Sequence, residues 1–161
     1  MRFISAEDIE RHSNYPALIE ALRVAFQKQY DIPKRHNSKY NLPTIQGSYL
    51  LFDQHKGTPK AIFDAKMLTN KRTAAASALA SQYLSRKDAK CMLMIGNGAL
   101  APELIKAHSF VRPITKVYLW GRNIEKSQWI AQQFSEIEVV AVKDYAKHQE
   151  EADIISCATL S

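Results

Sequence analysis

Residues 91–101 read Cys91-Met92-Leu93-Met94-Ile95-Gly96-Asn97-Gly98-Ala99-Leu100-Ala101. An apolar run, typical of a buried strand, breaks into the pattern Gly-x-Gly-x-x-Ala and continues as a helix-like segment. In such a strand-turn-helix unit, Gly96 makes the tight turn, Gly98 lets the backbone approach a phosphate group, and Ala101 lets the helix pack closely on the strand. N–H groups at the helix start then bind the anion. We predict that a dinucleotide contacts Gly96, Asn97, Gly98, Ala99 and Leu100, although the pattern alone also fits an ordinary glycine-rich turn.

A second apolar run, Val117-Tyr118-Leu119-Trp120, ends in Gly121-Arg122 a little over twenty residues after Gly98. Dinucleotide-binding folds place here the residue that contacts the adenosine ribose. A carboxylate would hydrogen-bond the ribose 2′-hydroxyl, whereas the guanidinium of Arg122 pairs with a 2′-phosphate through two parallel bonds. We therefore predict cofactor contacts from Arg122 and Asn123, and NADPH as the preferred cofactor over NADH. The alternative is that Arg122 is a solvated surface residue.

After residue 90 the sequence alternates between strand-like and helix-like segments. The predicted strands are 91–95, 116–120, 138–142 and 153–158, and the predicted helices are 99–110, 124–134 and 145–151. Such alternation predicts an α/β fold with a parallel sheet and right-handed crossovers. Since the chain stops just after the fourth strand, we expect the sheet to be incomplete at the C-terminus, with one edge unpaired.

The N-terminal part has a different pattern. Apolar residues at helical spacing predict a helix from Ser13 to about Tyr30, with Ser13 or Asn14 as its N-cap. Two strand-like runs, 48–53 and 59–64, flank a turn that contains Gly57 and predict a hairpin. A helix rich in alanine follows from Thr69, its expected N-cap, to about residue 84. We divide the chain into an N-terminal portion with a linking helix, 1–88, and a partial dinucleotide-binding domain, 89–161.

Composition excludes several classes of protein. With 46% hydrophobic and 24% charged residues, the 161-residue chain is of ordinary globular type. It carries no membrane-spanning or secretory segment, so we expect a cytoplasmic protein without a membrane partner. The net charge of +6 is scattered and forms no basic stripe, which argues against a nucleic-acid partner. Cys91 and Cys157 lie in predicted buried strands and are expected to be small core residues. No metal-ligand cluster is visible.

Several motifs occur in a characteristic order. They are Leu68-Thr69-x-x-Arg72-Thr73-Ala74-Ala75, then Ile95-Gly96-Asn97-Gly98, then Ala152-Asp153-Ile154-Ile155-Ser156-Cys157-Ala158-Thr159. Together they resemble the ornithine cyclodeaminase/mu-crystallin family. A longer series is most similar to the bacterial Δ1-pyrroline-2-carboxylate (ketimine) reductases of that family: Gly98-Ala99-Leu100-Ala101-Pro102-Glu103-Leu104-Ile105-x-Ala107-His108, Val111-Arg112-Pro113-Ile114 and Trp120-Gly121-Arg122.

The resemblance implies both an architecture and a reaction. A Rossmann-type domain is preceded by a small α+β portion that binds the substrate and forms a homodimer when the protein is complete. Hydride passes from NADPH or NADH to the C=N carbon of a cyclic imino acid. The product is L-proline from Δ1-pyrroline-2-carboxylate, or L-pipecolate from the six-membered ring.

The resemblance also implies contacts to the substrate. Arg35 and Arg72 match family positions whose guanidinium groups bind the substrate carboxylate, a planar group that suits a bidentate fork. Without the family, each arginine is more simply a surface residue. His36 lies beside Arg35, and we assign it a substrate-binding or proton-relay role.

Three further cofactor contacts come from the same resemblance. Thr73, near the start of its helix, matches a residue that contacts a cofactor phosphate; the alternative is a hydroxyl satisfied within the helix. Ala158 and Thr159 lie at the end of a strand, where they would face the nicotinamide. Ligands of such sheets bind beyond the carboxyl ends of the strands, which agrees with this placement.

Two family residues have no counterpart here. A lysine that contacts the substrate is missing because Tyr40 runs almost directly into Asn41-Leu42-Pro43, and the catalytic aspartate would lie beyond Ser161. We therefore expect a shortened reductase with impaired activity, whose catalytic residues are unknown. Two alternatives stay open. One is an ornithine cyclodeaminase, against which Arg122 argues because that enzyme recycles NAD, and the other is a non-catalytic, NADPH-binding module comparable to mu-crystallin.

Overall fold

The computed structural model describes residues 1–28 and 47–159. The chain divides into two compact units, Met1–Thr69 and Asn70–Ser161. This division falls inside the helix that we placed wholly in the N-terminal portion, and the domain boundary after residue 88 stays a prediction. None of the helices formed by the described residues has the length and apolar character needed to span a bilayer.

The first unit contains a three-stranded sheet. Its strands are β1 (Arg2–Ile4), β2 (Ser48–Phe52) and β3 (Pro59–Asp64), in the order β1-β3-β2. Strand β3 pairs in parallel with β1 and antiparallel with β2, which confirms the predicted hairpin. In the turn, the Asp53 carboxylate accepts the N–H groups of His55 and Lys56, both at 2.9 Å, and Gly57 adopts a φ of 65°.

Between β1 and β2, the described residues form two helices. Helix α1 (Ala6–His12) begins with a capping box, in which Ser5 and Asp8 each accept the backbone N–H of the other. Helix α2 (Tyr15–Phe26) is capped by the Asn14 side chain. The prediction of a single helix from residue 13 was right for α2 but missed β1 and α1, which are too short to show a clear period. The predicted helix end at Tyr30 lies outside the described residues.

Helix α3 (Ala65–Leu84) follows β3 without a loop. The prediction that it begins at Thr69 was wrong, because the Asp64 carboxylate accepts the Met67 N–H at 2.8 Å and caps the helix five residues before the predicted cap.

The second unit is built on a parallel sheet. Its strands are β4 (Cys91–Ile95), β5 (Lys116–Trp120), β6 (Glu138–Val142) and β7 (Ile154–Cys157), in the order β6-β5-β4-β7, and every neighbouring pair is parallel. Helix α4 (Ala101–Val111) follows β4, and α5 (Ile124–Ala131) follows β5. The predicted α/β fold class is confirmed. Met92, Leu93 and Met94 are fully buried at the centre of the sheet.

A polar contact joins helices α3 and α4 beside a group of small, buried side chains. Ala74, Ala75 and Ala78 of α3 are fully buried, as expected where another backbone approaches closely. Beside them, Ser77 Oγ lies 3.1 Å from His108 Nε2 of α4. Burial lowers the pKa of His108 to about 4, so the imidazole is neutral at physiological pH.

Arg112, at the end of α4, holds the last turn of α3. Its Nη2 donates to the carbonyl oxygens of Ser81, Gln82 and Ser85 at 3.1, 2.7 and 3.0 Å, and its Nε donates to Ser85 Oγ at 2.8 Å. The carbonyl groups at a helix C-terminus lack partners within the helix and carry partial negative charge, so a guanidinium is a suitable donor.

Two predictions for the C-terminal segment were wrong. In place of a helix over residues 145–151, the chain forms one 3-10 turn, Ala146–His148. Cys157 is exposed and is not a core residue, whereas Cys91 is partly buried and packs against the core formed by Leu93, Tyr118 and Val142. Strand β7 lies at one edge of the described sheet and is covered on one face only, which leaves alternate side chains, including Ile155, exposed.

Candidate functional site

The turn after β4 has the geometry that the glycine pattern predicts. Gly96 adopts a φ of +115°, and a Cβ atom at this position would lie 2.4 Å from the Ala158 carbonyl oxygen. The Gly96 N–H donates to the Trp120 carbonyl at 2.8 Å, and the Ala158 N–H donates to the Ile95 carbonyl at 2.8 Å. The turn therefore emerges between the ends of β5 and β7, and only glycine fits at residue 96.

The second glycine borders open space. Among the described residues, no atom lies within 4 Å of a Cβ built on Gly98, so packing within this part of the chain does not explain the glycine. No described side chain caps the first turn of α4, which begins just beyond at Ala101. Among the described residues, the N–H groups of Gly98, Ala99 and Leu100 have no backbone acceptor, and such groups on an uncovered turn fit the diphosphate of a dinucleotide.

A cleft of ≈ 520 Å³ lies at the carboxyl ends of β4, β5 and β7. This volume is typical of a small-molecule site. It is lined by Gly96, Asn97, Gly98, Ala99, Leu100, Trp120, Gly121, Arg122, Lys126, Ala158 and Thr159.

Most of the predicted cofactor contacts come together in this cleft. Of the residues we assigned to cofactor binding, Thr73 and Asn123 alone do not line it. Thr73 lies exposed on α3, next to the exposed Arg72. Arg35 and His36 lie outside the described residues, so their assignment rests on the resemblance.

The loop between β5 and α5 brings two cations to the cleft. Arg122 is exposed, and Lys126 follows one helical turn later. The Asn123 side chain caps α5 by accepting the Lys126 N–H at 2.9 Å, so Asn123 shapes this loop without lining the cleft. We did not predict Lys126, although its spacing of four residues from Arg122 on a helix start was a usable signal.

Asn97 connects the glycine turn to the loop that carries Arg122. Its Nδ2 donates to the Asn123 carbonyl at 2.7 Å and to Ser127 Oγ at 3.0 Å. A Cβ on Gly121 would lie 2.1 Å from Asn97 Cγ, so the amide rests directly on this glycine. We did not predict Gly121 or Trp120 as lining residues, because both become part of the cleft only through the pairing of β4 with β5.

A buried carboxylate lies in the first turn of α4. Glu103 is 6% exposed, and its carboxylate lies 3.2 Å from Lys71 Nζ of α3 and 3.2 Å from Lys106 Nζ. A carboxylate near a helix N-terminus interacts well with the helix dipole but repels a bound phosphate. The two ammonium groups offset this negative charge, and the Lys71 contact also links α3 to the helix that begins at the glycine turn.

The second unit has a parallel sheet, a glycine turn after its first strand and a cleft where the strand order reverses. These features define the Rossmann class of dinucleotide-binding folds. Within this class, the chain belongs to the ornithine cyclodeaminase/mu-crystallin family, whose family model matches residues 6–161. The predicted family resemblance is confirmed.

Among curated relatives, the Δ1-pyrroline-2-carboxylate reductase of Colwellia psychrerythraea is 34% identical over 200 aligned positions, which cover 99% of this chain and 63% of the relative. The alignment is longer than the 161-residue chain, so the relative has positions without a counterpart here. This difference agrees with the internal shortening that the resemblance indicated.

Two solved structures are similar as well. The Δ1-pyrroline-2-carboxylate reductase of Thermococcus litoralis, in complex with NADH and L-proline, superposes with a TM-score of 0.90 at 26% identity and matches 99% of this chain and 62% of its own. A lysine cyclodeaminase superposes with a TM-score of 0.67 at 34% identity over 76% of this chain and 36% of its own. The chain thus spans less than two thirds of these relatives.

Proposed function

We propose that this chain is part of an NAD(P)H-dependent reductase of cyclic 2-imino acids. The substrate is Δ1-pyrroline-2-carboxylate or its six-membered homologue, and the product is L-proline or L-pipecolate. The observation that carries the proposal is the turn at Gly96 and Gly98, which opens into the cleft and whose N–H groups at residues 98–100 have no backbone acceptor among the described residues. Similarity to the Thermococcus reductase, which holds NADH and L-proline, supports the choice of reaction.

When bound, a nicotinamide cofactor supplies the hydride. The N–H groups of Gly98, Ala99 and Leu100, just before α4, would bind its diphosphate. Arg122 and Lys126 would face the adenosine ribose, and Ala158 and Thr159 would lie against the nicotinamide half. Thr73 and Asn123 are proposed as further contacts, with weaker support because neither lines the described cleft.

Arg122 supports NADPH as the preferred cofactor over NADH. A charge-assisted, bidentate contact to a 2′-phosphate is worth roughly 1.5–3 kcal/mol, so Arg122→Ala should weaken NADPH binding by about 10- to 100-fold and leave NADH binding almost unchanged. Arg86→Ala is a matched control, because Arg86 pairs with Asp153 at the surface and lines no part of the cleft. Tighter binding of NADH than of NADPH to the unaltered chain would contradict the preference.

For the substrate, we propose Arg72, Arg35 and His36. A guanidinium group would pair with the substrate carboxylate and hold the imine carbon toward the cofactor. Protonation of the ring nitrogen makes that carbon electrophilic, and His36 is the proposed proton relay. The lysine that the family uses to contact the substrate has no counterpart between Tyr40 and Asn41, so we expect slow turnover by this chain.

One assay tests the reaction. The purified chain is mixed with Δ1-pyrroline-2-carboxylate and NADPH or NADH, and the loss of nicotinamide absorbance is followed. Turnover supports the reductase. Nucleotide binding measured by calorimetry without turnover supports the non-catalytic, cofactor-binding module. Absence of binding by either nucleotide refutes the proposal.

A cyclodeaminase is the second candidate. The structural similarity to a lysine cyclodeaminase, at 34% identity, favours it. Release of ammonia from ornithine or lysine with catalytic NAD⁺ would establish this activity. In that case NADPH should not support the reaction, and Arg122 would have no 2′-phosphate to bind.

We further propose that the complete protein is a cytoplasmic homodimer. Residues 1–88 would form the substrate-binding and dimerisation portion, and residues 89–161 part of the cofactor domain. Strand β2 supports an interface because it lies at the edge of its sheet and exposes Leu50, Leu51 and Phe52, each about half accessible. Light scattering on the complete protein measures the oligomeric state.

A further inference from the structure

Asn97 occupies the variable position of the Gly-x-Gly turn, where a contact to the cofactor diphosphate is the simple expectation. Its side-chain amide instead donates both of its hydrogen bonds within the protein. An amide has two N–H donors, and those of Asn97 go to the Asn123 carbonyl and to Ser127 Oγ. The atom that remains is an oxygen, which repels a phosphate. The side chain therefore does not donate to the diphosphate while these bonds persist.

Both acceptors are well fixed. A backbone carbonyl only accepts hydrogen bonds, so the amide nitrogen must face Asn123. Ser127 is fully buried in α5, and its N–H donates to the same Asn123 carbonyl at 3.3 Å. Loss of the Asn97 amide would leave the Ser127 hydroxyl without one of its contacts in a buried place.

The contacts of Asn97 lie on both sides of Arg122. Before it, Gly121 lies directly under the Asn97 amide, and after it, the Asn123 carbonyl accepts from Nδ2. The Arg122 side chain itself is exposed, so its backbone must be held if the guanidinium is to reach a 2′-phosphate without a large entropic cost.

From these contacts we infer that Asn97 is a positioning residue for cofactor selectivity: it holds the Arg122 backbone and so sets the discrimination between NADPH and NADH. The inference rests on the proposed function. It goes beyond that function by assigning a residue of the diphosphate turn to recognition of the ribose 2′-phosphate.

The test measures dissociation constants for NADPH and NADH in the unaltered chain and in Asn97→Ala, Arg122→Ala and the double variant. We expect Asn97→Ala to weaken NADPH binding about 3- to 10-fold more than NADH binding, the range typical of coupled neighbours. In the Arg122→Ala background, Asn97→Ala should no longer change the NADPH-to-NADH ratio. Gln128→Ala, an exposed amide on α5, is the matched control and should change neither constant.

A second variant and a second readout cover the case in which Asn97→Ala unfolds. Ser127→Ala removes one of the two acceptors with little change of volume and should shift the ratio in the same direction by a smaller factor. Hydrogen exchange of the amides at residues 121–124 should become faster in either variant.

The outcomes separate the two claims. Equal weakening of NADPH and NADH, additive with Arg122→Ala, means that Asn97 serves the shared part of the cofactor; the inference then fails and the proposed function stands. No binding of either nucleotide by the unaltered chain overturns both.

Discussion

Replacement of Arg112 by methionine tests how the second unit is held together. Methionine has a similar length but no donors, so the change removes the contacts to the carbonyls of residues 81, 82 and 85 and to Ser85 Oγ. Arg112 and Ser81 are each only 8% exposed, whereas Gln82 is exposed and Ser85 is half-buried. A hydrogen bond to a charged group contributes about 1.5–3 kcal/mol, and water can replace the lost donor at the exposed Gln82. We expect a loss of about 3–5 kcal/mol.

The assay is thermal unfolding, with urea unfolding for the free energy, both followed by tryptophan fluorescence. Both tryptophans of the chain, Trp120 and Trp129, belong to the unit that Arg112 stabilises. In a unit of this size, 1 kcal/mol shifts the melting temperature by about 4–8 °C, so Arg112→Met should lower it by about 12 °C or more. Arg112→Lys keeps the charge but has a single nitrogen in place of the guanidinium, and should recover part of the loss.

Arg86→Met is the matched control. The ion pair of Arg86 with Asp153 is at the surface, where such pairs contribute about 0–1 kcal/mol. If Arg112→Met is no more destabilising than Arg86→Met, the contacts of Arg112 with the end of α3 do not stabilise the fold, and the reasoning is refuted.

Three other predictions concern the glycine turn, Lys71 and His108. Gly96→Ala should destabilise the chain by more than about 2 kcal/mol and abolish nucleotide binding, because it combines a positive φ with a backbone clash. Gly57→Ala is the control and should cost about 1 kcal/mol, since the space around Gly57 is open. Equal unfolding midpoints of the two variants would contradict this prediction. Lys71→Met should leave the Glu103 carboxylate with less compensating charge, and NADPH binding should weaken more at low salt than at high salt. Lys71→Met combined with Glu103→Gln should restore NADPH binding. Weakening that calorimetry shows to be independent of salt would count against this role of Lys71. The pKa of His108 is about 4 in the folded chain and its ordinary value is 6.5, so the unfolded chain takes up the proton first as the pH falls. The free energy of unfolding should therefore fall by up to about 3 kcal/mol between pH 6.5 and pH 4. In His108→Gln, the free energy of unfolding should depend less on pH over this range.

Local sequence patterns were sufficient for the strands of the second unit. The bounds of β4, β5 and β6 follow from short, mainly apolar runs that end at glycine or polar residues, as is usual for strands of a parallel sheet. The two N-terminal helices that we missed or misplaced depend on local capping contacts. Asp64 starts α3 earlier than the alanine-rich stretch suggests, and α1 depends on a capping box formed by Ser5 and Asp8.

The candidate site was predictable only where one segment forms it. The glycine turn carries its own signal, since residues 96–100 act through the backbone. The roles of Asn97, Arg112 and Lys71 depend on partners that the fold brings from other helices and loops, and no spacing in the sequence links Asn97 to Ser127 or Arg112 to Ser85. Such contacts are decided by tertiary packing, which a single sequence does not encode in a readable pattern.

The position of Gly96 against Ala158 has a consequence for protein synthesis. The turn after β4 is enclosed by a segment, β7 and Ala158, that a ribosome makes about sixty residues later. A nascent chain that has emerged only as far as β6 contains Gly96 but not the Ala158 carbonyl that lies against it, so the nucleotide pocket forms after the rest of its sheet. A nucleotide present during translation would then favour the pairing of β7 with β4 and so stabilise the last step of folding of this unit.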